Sequence, residues 1–242
     1  MKILIAENTD EFNKLGADVV KDVITSKPNT VIGFATGSTP VGAYQKLIEY
    51  YKNGELSFKG VTTFNLDEYV GLEKTHDQSY FYFMQNNLFG KVDVDQAKVN
   101  FLSGTATDND AECKRYDALL EQNPIDLQIL GIGANGHIGF NEPNTPFNAV
   151  TREVTLTQKT IQDNARFFAS ENEVPRAALT MGMTEIMASK KIVLMANGKN
   201  KADAVFSMIK GEVSLSCPAS ILQLHNDVTV ILDKESASKL NQ

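Results

Sequence analysis

The sequence has few of the features that mark secreted, membrane-bound or nucleic-acid-binding chains. Its only two cysteines, Cys113 and Cys217, lie far apart and outside any C-x-x-C pattern, which indicates neither a disulfide framework nor a zinc cluster. No apolar run approaches the roughly 18 residues of a membrane helix, and the N-terminal apolar stretch reaches Glu7 too soon for a signal-peptide core. We therefore expect a cytoplasmic chain that binds no membrane.

Positive charge is also scarce. The 242 residues include 23 Lys and Arg against 30 Asp and Glu, giving a formal net charge of −7. Because no long run of basic residues occurs, nucleic acid is not an expected partner. A phosphorylated ligand would have to be held by local cations, and the chain has only four arginines: Arg115, Arg152, Arg166 and Arg176.

Short apolar segments alternate with helical patterns along the chain. Six apolar, β-branched segments predict strands: residues 2–6, 30–35, 61–66, 125–132, 191–196 and 228–232. Helical spacing predicts helices from the capping box at Asn8 to Lys27, from Pro40 onward, and near residues 80–89, 109–120, 177–187, 199–210 and 235–240. This order predicts one α/β domain over residues 1–242, doubly wound around a mostly parallel sheet with helices on both faces. Residues 139–160 show neither pattern and predict a functional loop.

The turn after the second predicted strand has the composition of a phosphate site. Ligands of open parallel sheets bind beyond the carboxyl ends of the strands. Here Gly37 permits close backbone approach, Thr36, Ser38 and Thr39 offer hydroxyls, and Pro40 opens a helix whose positive end would face the turn. The alternative is a plain helix cap made by Ser38 or Thr39. The turn is not a Walker A loop, because that motif's spacing and Lys are missing.

Two adjacent carboxylates, Asp67 and Glu68, follow the third predicted strand. Strand geometry sends consecutive side chains to opposite sides, so at most one of them should face a pocket. We select Asp67, which directly follows the strand. Caps or solvated turn residues are the alternative explanation.

The segment GIGANGHIGFNEP, residues 131–143, contains the G-x-G-x-x-G spacing of dinucleotide-binding turns. That match is weak, because Gly139, Asn141 and Pro143 indicate irregular backbone where the motif needs a helix. We therefore expect no dinucleotide cofactor. His137 and Glu142 are the titratable pair of interest, since a carboxylate can orient or charge an imidazole. A purely structural histidine is the alternative.

Metal ligation is not indicated either. The three histidines are scattered along the chain, and none lies in an H-E-x-x-H motif: they are His76, His137 and His225.

Four segments together resemble the signature set of glucosamine-6-phosphate deaminases. They are TGSTP at residues 36–40, NLDEY at 65–69, the loop at 131–143 and NARFF at 164–168. The resemblance implies a Rossmann-like fold of the sugar-phosphate isomerase/deaminase type. It also implies an aldose–ketose isomerisation coupled to deamination, in which glucosamine 6-phosphate and water give fructose 6-phosphate and ammonia. No cofactor is implied.

The reaction suggests roles for the residues. Moving a proton between C2 and C1 needs one carboxylate base, which suits Asp67. Opening the pyranose needs a proton moved between O1 and O5, which suits His137 held by Glu142. Asn135 stands where many family members have Asp, and it can orient His137 or the sugar but cannot carry charge.

The family pattern also maps phosphate contacts onto Arg166 and Lys201, beside the turn at residues 36–39. Each of these cations could instead be a surface charge. We expect a monomer rather than a homo-oligomer. The resemblance would place an effector-binding Lys where Val154 stands, so allosteric activation is not expected.

Two other functions stay open. A 6-phosphogluconolactonase shares the fold and a similar glycine-rich loop, but it needs no C2 base. A sugar-phosphate-sensing domain of a transcription regulator would keep the phosphate turn without catalysis. Such a regulator should carry a helix-turn-helix module, and no such pattern precedes the strand at residues 2–6.

Overall fold

Seven short strands form one parallel sheet in the computed structural model, which describes residues 1–165, 168, 170 and 173–240. In chain order they are β1 (Lys2–Ile5), β2 (Val31–Phe34), β3 (Thr62–Asn65), β5 (Val99–Asn100), β6 (Leu127–Leu130), β9 (Ile192–Ala196) and β10 (Val228–Leu232). Three further strands, numbered between them, form a second sheet. The large sheet has the order β1-β10-β9-β6-β2-β3-β5. Its central strands are buried along their whole length, as expected where a parallel sheet is covered on both faces.

Seven α-helices accompany the strands in the described part of the chain. They are α1 (Thr9–Ser26), α2 (Val41–Lys52), α3 (Tyr80–Asn87), α4 (Asn109–Gln122), α5 (Gln158–Ala165), α6 (Met183–Met187) and α7 (Ala202–Lys210). Side-chain caps set several starts: the Asn8 oxygen accepts from Glu11 N at the start of α1, as its sequence predicts, and Ser79 and Asp108 cap α3 and α4. In the described ranges, no helix combines the length and the apolar character needed to cross a membrane.

The large sheet is wound in two directions from its centre. The chain passes from β2 to β3 and β5 on one side, and from β6 to β9 and β10 on the other. The strand order therefore reverses between the neighbours β2 and β6. The doubly wound α/β class is confirmed, and a ligand crevice is expected beyond the carboxyl ends at this reversal.

The second sheet is small and antiparallel. It contains β4 (Asp67–Tyr69), β7 (Arg152–Thr155) and β8 (Ala177–Thr180), in the order β4-β8-β7. It joins the large sheet through Leu66, whose N–H donates to Phe34 O and whose carbonyl accepts from Met181 N. Because β4 begins directly after β3, the second sheet lies at the carboxyl end of the first.

Three predicted segments are wrong. Residues 177–180 form β8 rather than helix, because they pair with both β4 and β7, and α6 begins only after Gly182. Residues 139–160, predicted as irregular, contain β7 and the start of α5. Residues 235–240 form turns instead of a helix, and the Asp233 side chain accepts from Ser236 N at their start.

Candidate active site

The turns that follow β2, β3, β6 and β9 lie at the same edge of the sheet, because these strands are parallel neighbours. A hydrogen bond ties two of them directly: Thr39 Oγ1 donates to Asn197 Oδ1 at 2.8 Å, joining the turn after β2 to the turn after β9. The loop after β6 starts between them. Most of the candidate residues from the sequence therefore meet at the reversal of strand order.

The backbone of the turn at residues 36–39 has free space next to Gly37. Gly37 adopts φ 91°, a left-handed conformation, and a Cβ there would meet nothing within 4 Å. Pro40 precedes α2, and no side chain of the described residues caps this helix start. The plain-cap explanation for Ser38 and Thr39 therefore does not describe the turn. The first amides of α2 are therefore available to bind an anion.

Of the two predicted phosphate cations, Lys201 lies in the described part of the chain. Lys201 ends the short 3₁₀ turn Lys199–Lys201 between β9 and α7, and it is half-buried. It thus follows β9 at the same sheet edge as the turn at residues 36–39. Arg166 lies outside the described residues.

Asp67 opens β4 and is only 7% exposed. No described group donates a hydrogen bond to its carboxyl. Burial, together with the neighbouring Glu68 carboxylate, raises the pKa of Asp67 to about 8. A carboxyl with such a pKa can take and release a proton near neutral pH, as general acid–base chemistry requires.

Gly139 brings the loop after β6 against this carboxyl. Its φ of 57° is left-handed, and a Cβ at this position would lie 3.6 Å from Asp67 Oδ2 and 3.1 Å from Thr180 Oγ1. The same Thr180 hydroxyl accepts from Phe140 N at 3.2 Å. The loop is thus fixed to β8 and stands next to Asp67.

His137 and Glu142 meet within that loop. His137 Nδ1 lies 3.4 Å from Glu142 Oε2, and Glu142 also accepts from Asn135 Nδ2 at 2.7 Å and from Thr160 Oγ1 at 3.3 Å. Half-burial would raise the pKa of Glu142, but its contacts with His137, Asn135 and Thr160 outweigh burial and hold that pKa below its ordinary value. The carboxylate therefore stays ionised and can orient the imidazole.

A glycine makes room for the imidazole. A Cβ at Gly133 would lie 2.3 Å from His137 Cε1, so no larger residue fits there without moving the ring. Gly133 N also donates to the His137 carbonyl at 2.9 Å. The glycines of the loop thus serve its packing around His137.

Sequence reasoning missed several groups that hold the site. Asn141 is fully buried, donates to the carbonyls of Ile138 and Met181, and accepts from Arg152 Nη1 at 2.9 Å. The sequence pattern indicates Asn141 only as a helix breaker. Thr160 and Thr180 come from α5 and β8, and a single threonine in another element has no local pattern to reveal its role.

A turn at an uncapped helix start, a buried carboxyl of raised pKa and an imidazole beside a carboxylate, all beyond the strands of a parallel sheet, define an acid–base enzyme of the α/β class. Residues 6–231 match the model of the glucosamine-6-phosphate isomerase and 6-phosphogluconolactonase family, and the chain belongs to that family.

Relatives extend the match over the whole chain. The glucosamine-6-phosphate deaminase of Thermoanaerobacter sp. (strain X514) is 54% identical over 98% of this chain and 94% of its own. That of Clostridium novyi (strain NT) is also 54% identical, over 99% of this chain and all of its own.

Solved structures agree with the fold. One described as a monomeric glucosamine-6-phosphate deaminase superposes with a TM-score of 0.96 at 45% identity, covering 98% of this chain and 99% of that one. The 6-phosphogluconolactonase of Thermotoga maritima has a TM-score of 0.74 at 18% identity, covering 96% of this chain and 99% of its own. At that identity the likeness extends to the fold alone.

Proposed function

We propose that this chain is a glucosamine-6-phosphate deaminase, an enzyme of amino-sugar catabolism that converts glucosamine 6-phosphate and water into fructose 6-phosphate and ammonia. The observation that carries the proposal is the position of Asp67. A buried carboxyl with a raised pKa lies beside the loop that holds the pair of His137 and Glu142. The relatives of that name, 54% identical over nearly the whole chain, support the same activity.

Ring opening comes first in this mechanism. The closed sugar must lose the O1 proton and gain one at O5, and the His137 imidazole moves that proton between the two oxygens. Glu142 orients the ring and stabilises its charged form. Asn135 and Thr160 hold Glu142 in place.

Isomerisation follows on the open chain. The Asp67 carboxylate takes the proton from C2 while the aldehyde oxygen O1 gains a proton, which gives an enolamine. Asp67 then returns its proton to C1, which leaves a hydroxymethyl group at C1 and an imine, protonated on nitrogen, at C2. Water adds to that imine carbon, ammonia leaves, and the C2 ketone of fructose 6-phosphate remains. The balance needs no oxidant or reductant.

The phosphate group is bound at the other end of the sugar in this proposal. The amides at the start of α2 and the hydroxyls of Thr36, Ser38 and Thr39 surround it, and Lys201 and Arg166 supply the charge. The start of α2, which no described side chain caps, supports this assignment.

Ammonia release tests the proposal against both alternatives. The protein is incubated with glucosamine 6-phosphate and, separately, with 6-phosphogluconolactone. Ammonia together with fructose 6-phosphate supports the deaminase. Hydrolysis of the lactone without ammonia would identify a lactonase, and binding of phosphosugars with neither reaction would identify a sensor.

We also propose that the active protein is a cytoplasmic monomer in which residues 1–242 form one domain. The solved relative at 45% identity is described as monomeric, which supports this state. Sedimentation equilibrium at enzyme concentrations used for assay tests it, and a stable oligomer would contradict it.

A further inference from the structure

Glu68, the neighbour of the proposed base, has no part in the mechanism above, although it is only 2% exposed. Its Oε1 accepts from Tyr69 N at 2.9 Å and from Tyr80 N at 3.0 Å, and its Oε2 accepts from Phe81 N at 3.0 Å. Tyr80 and Phe81 are the first residues of α3. One carboxylate therefore ties β4 to the start of that helix.

The two adjacent carboxyls have opposite surroundings. Glu68 receives three N–H groups, which stabilise its ionised form, whereas no described group donates to Asp67. Burial raises the pKa of both, but only at Glu68 do hydrogen bonds oppose it. In such a pair, the carboxyl that receives more hydrogen bonds ionises first. Its negative charge then raises the pKa of the other carboxyl, which keeps its proton to higher pH.

We propose that Glu68 is a positioning residue for the reaction: its ionised carboxylate, held by the first amides of α3, anchors β4 and places a fixed negative charge beside Asp67. This inference rests on the proposed function. It explains why two carboxylates stand together at this strand end, since one keeps its charge and the other exchanges its proton. The fixed charge makes Asp67 a stronger base than an ordinary aspartate.

The ionisable groups on the neighbouring helices do not replace that charge. Tyr80 of α3 is half-buried and Tyr116 of α4 is fully buried, and desolvation raises the pKa of each phenol above its ordinary value, so both stay neutral. The pKa of Tyr80 is raised further by Tyr69. Lys74, which precedes α3, acts on Glu68 in the opposite sense by lowering its pKa.

The elements on the other side of Asp67 contribute no unpaired acid. The strand β8, which pairs with β4, has no ionisable side chain. The loop that meets Asp67 at Gly139 carries His137 and Glu142, which pair with each other. Glu68 is thus the acidic group placed to act on Asp67 in the described structure.

The test compares pH profiles of kcat/KM for ammonia release from glucosamine 6-phosphate. Glu68→Gln keeps the shape of the side chain but removes the charge, so the midpoint of the acidic limb is expected to fall by about one pH unit. The matched control is Ser79→Ala, which removes two other hydrogen bonds at the start of α3, from Tyr82 N to Ser79 Oγ at 3.0 Å and from Ser79 Oγ to the Lys74 carbonyl at 3.1 Å, without changing charge. Ser79→Ala should leave the midpoint where the wild type has it. A midpoint unmoved in Glu68→Gln, or moved equally in both variants, would show a purely structural role.

A second measurement does not depend on the folding of a Glu68 variant, and it does not require catalytic activity. Carboxyl-carbon NMR titration is done on ¹³C-labelled Glu185→Gln protein with and without Asp67→Asn, because burial raises the pKa of Glu185 to about 7 and would confuse the assignment. An aspartate signal that titrates above pH 6 and vanishes with Asp67→Asn supports the division of roles. A high-pH signal from a glutamate that persists in Asp67→Asn would overturn it. Absence of ammonia release by the wild type would instead refute the proposed function and leave this titration valid.

Discussion

At the scale of the residue, the Asp67 carboxyl is the proposed base for both proton transfers of the isomerisation. We expect Asp67→Asn to reduce turnover of glucosamine 6-phosphate by about 10²–10⁴-fold with little loss of binding, because the amide keeps the shape but cannot accept the C2 proton. The measurement is proton exchange at C2 together with ammonia release. Exchange at a rate near that of the wild type would contradict the assignment of Asp67 as the base.

The same substitution has an expected effect on stability, with the opposite sign. The pKa of Asp67 is about 8 in the folded chain, against an ordinary value of about 4 in the unfolded one. Its contribution to stability is therefore fully present below about pH 4 and is lost as the pH rises toward 8, since ionisation is harder in the folded state. Asp67→Asn does not titrate, so it should become more stable than the wild type by a few kcal/mol over that interval.

Thermal unfolding of both proteins at pH 5 and pH 8.5 measures this difference. The advantage of Asp67→Asn should be larger at pH 8.5. An advantage that does not change with pH would mean that the Asp67 carboxyl titrates normally.

At the scale of elements, the loop after β6 carries the residues proposed for ring opening, whereas the base proposed for isomerisation, Asp67, lies in β4. Glu142→Gln should slow turnover of the closed sugar, because the imidazole of His137 loses the carboxylate that orients it and stabilises its charge. Proton exchange at C2 of an acyclic analogue, which needs no ring opening, should stay close to the wild-type rate. NMR exchange on that analogue is compared for Glu142→Gln and Asp67→Asn. Equal losses in both would place Glu142 in the isomerisation step or in support of the loop.

The amino edge of the large sheet is held by a different carboxylate. Asp126, just before β6, accepts from Val31 N at 2.9 Å and from Thr30 Oγ1, and contacts the ammonium groups of Lys27 and Lys190. Burial acts to raise its pKa, but these partners hold the pKa of Asp126 well below its ordinary value. It thus joins β2 to β6 at the end opposite the site.

Asp126→Asn should destabilise the fold by about 1–3 kcal/mol at pH 7, chiefly through its buried backbone and hydroxyl partners. The two lysines contribute less, because their side chains are 49% and 62% exposed and solvent screens them. A lowered folded pKa gives stability above about pH 4 that is lost as the pH falls, so the difference from the wild type should shrink in acid. Urea unfolding at pH 7 and at about pH 2.5, well inside the interval in which this stability is lost, measures it, and a difference that is constant with pH would contradict this account.

Local patterns predicted six of the seven strands of the large sheet, all except the two-residue β5, and missed the second sheet. Strands such as β2 and β9 lie in continuous apolar runs that any pairing buries, so the sequence shows them directly. β8, in contrast, has the composition of a helix, and only its pairing with β4 and β7 makes it a strand. Such pairing between distant segments overrides local propensity.

The candidate site likewise contains residues that sequence motifs predict and residues that only the fold reveals. Asp67, His137 and Glu142 were predictable because they follow strands in recognisable motifs. The groups that support them, Thr160 and Thr180, come from distant elements and become visible only when the fold brings them to Glu142 and to the loop.

On the scale of the whole molecule, the proposed phosphosugar joins segments that are far apart in sequence. The turns after β2 and β9 are already tied by Thr39 and Asn197, and Lys201 follows on the β9 side. A ligand that contacts all of them stabilises the folded chain by mass action. At a concentration of 100 times Kd this gain is about 2.7 kcal/mol, or roughly 5–10 °C in Tm for a chain of this size.

Lys201→Ala should reduce that ligand-induced rise in Tm. Losing one charge-assisted hydrogen bond weakens binding by roughly 10–150-fold, so at the same ligand concentration the stabilisation falls to about 0.3–1.4 kcal/mol. Thermal shifts are measured with glucosamine 6-phosphate in an Asp67→Asn background, which prevents turnover, and with glucosamine as the unphosphorylated comparison.

The matched control is Lys199→Ala, an exposed lysine of the same 3₁₀ turn, which should keep the full shift. Arg166→Ala is expected to behave like Lys201→Ala. Equal losses for Lys199→Ala and Lys201→Ala would show a general effect of charge, and a loss that is as large with glucosamine would show that Lys201 does not hold the phosphate.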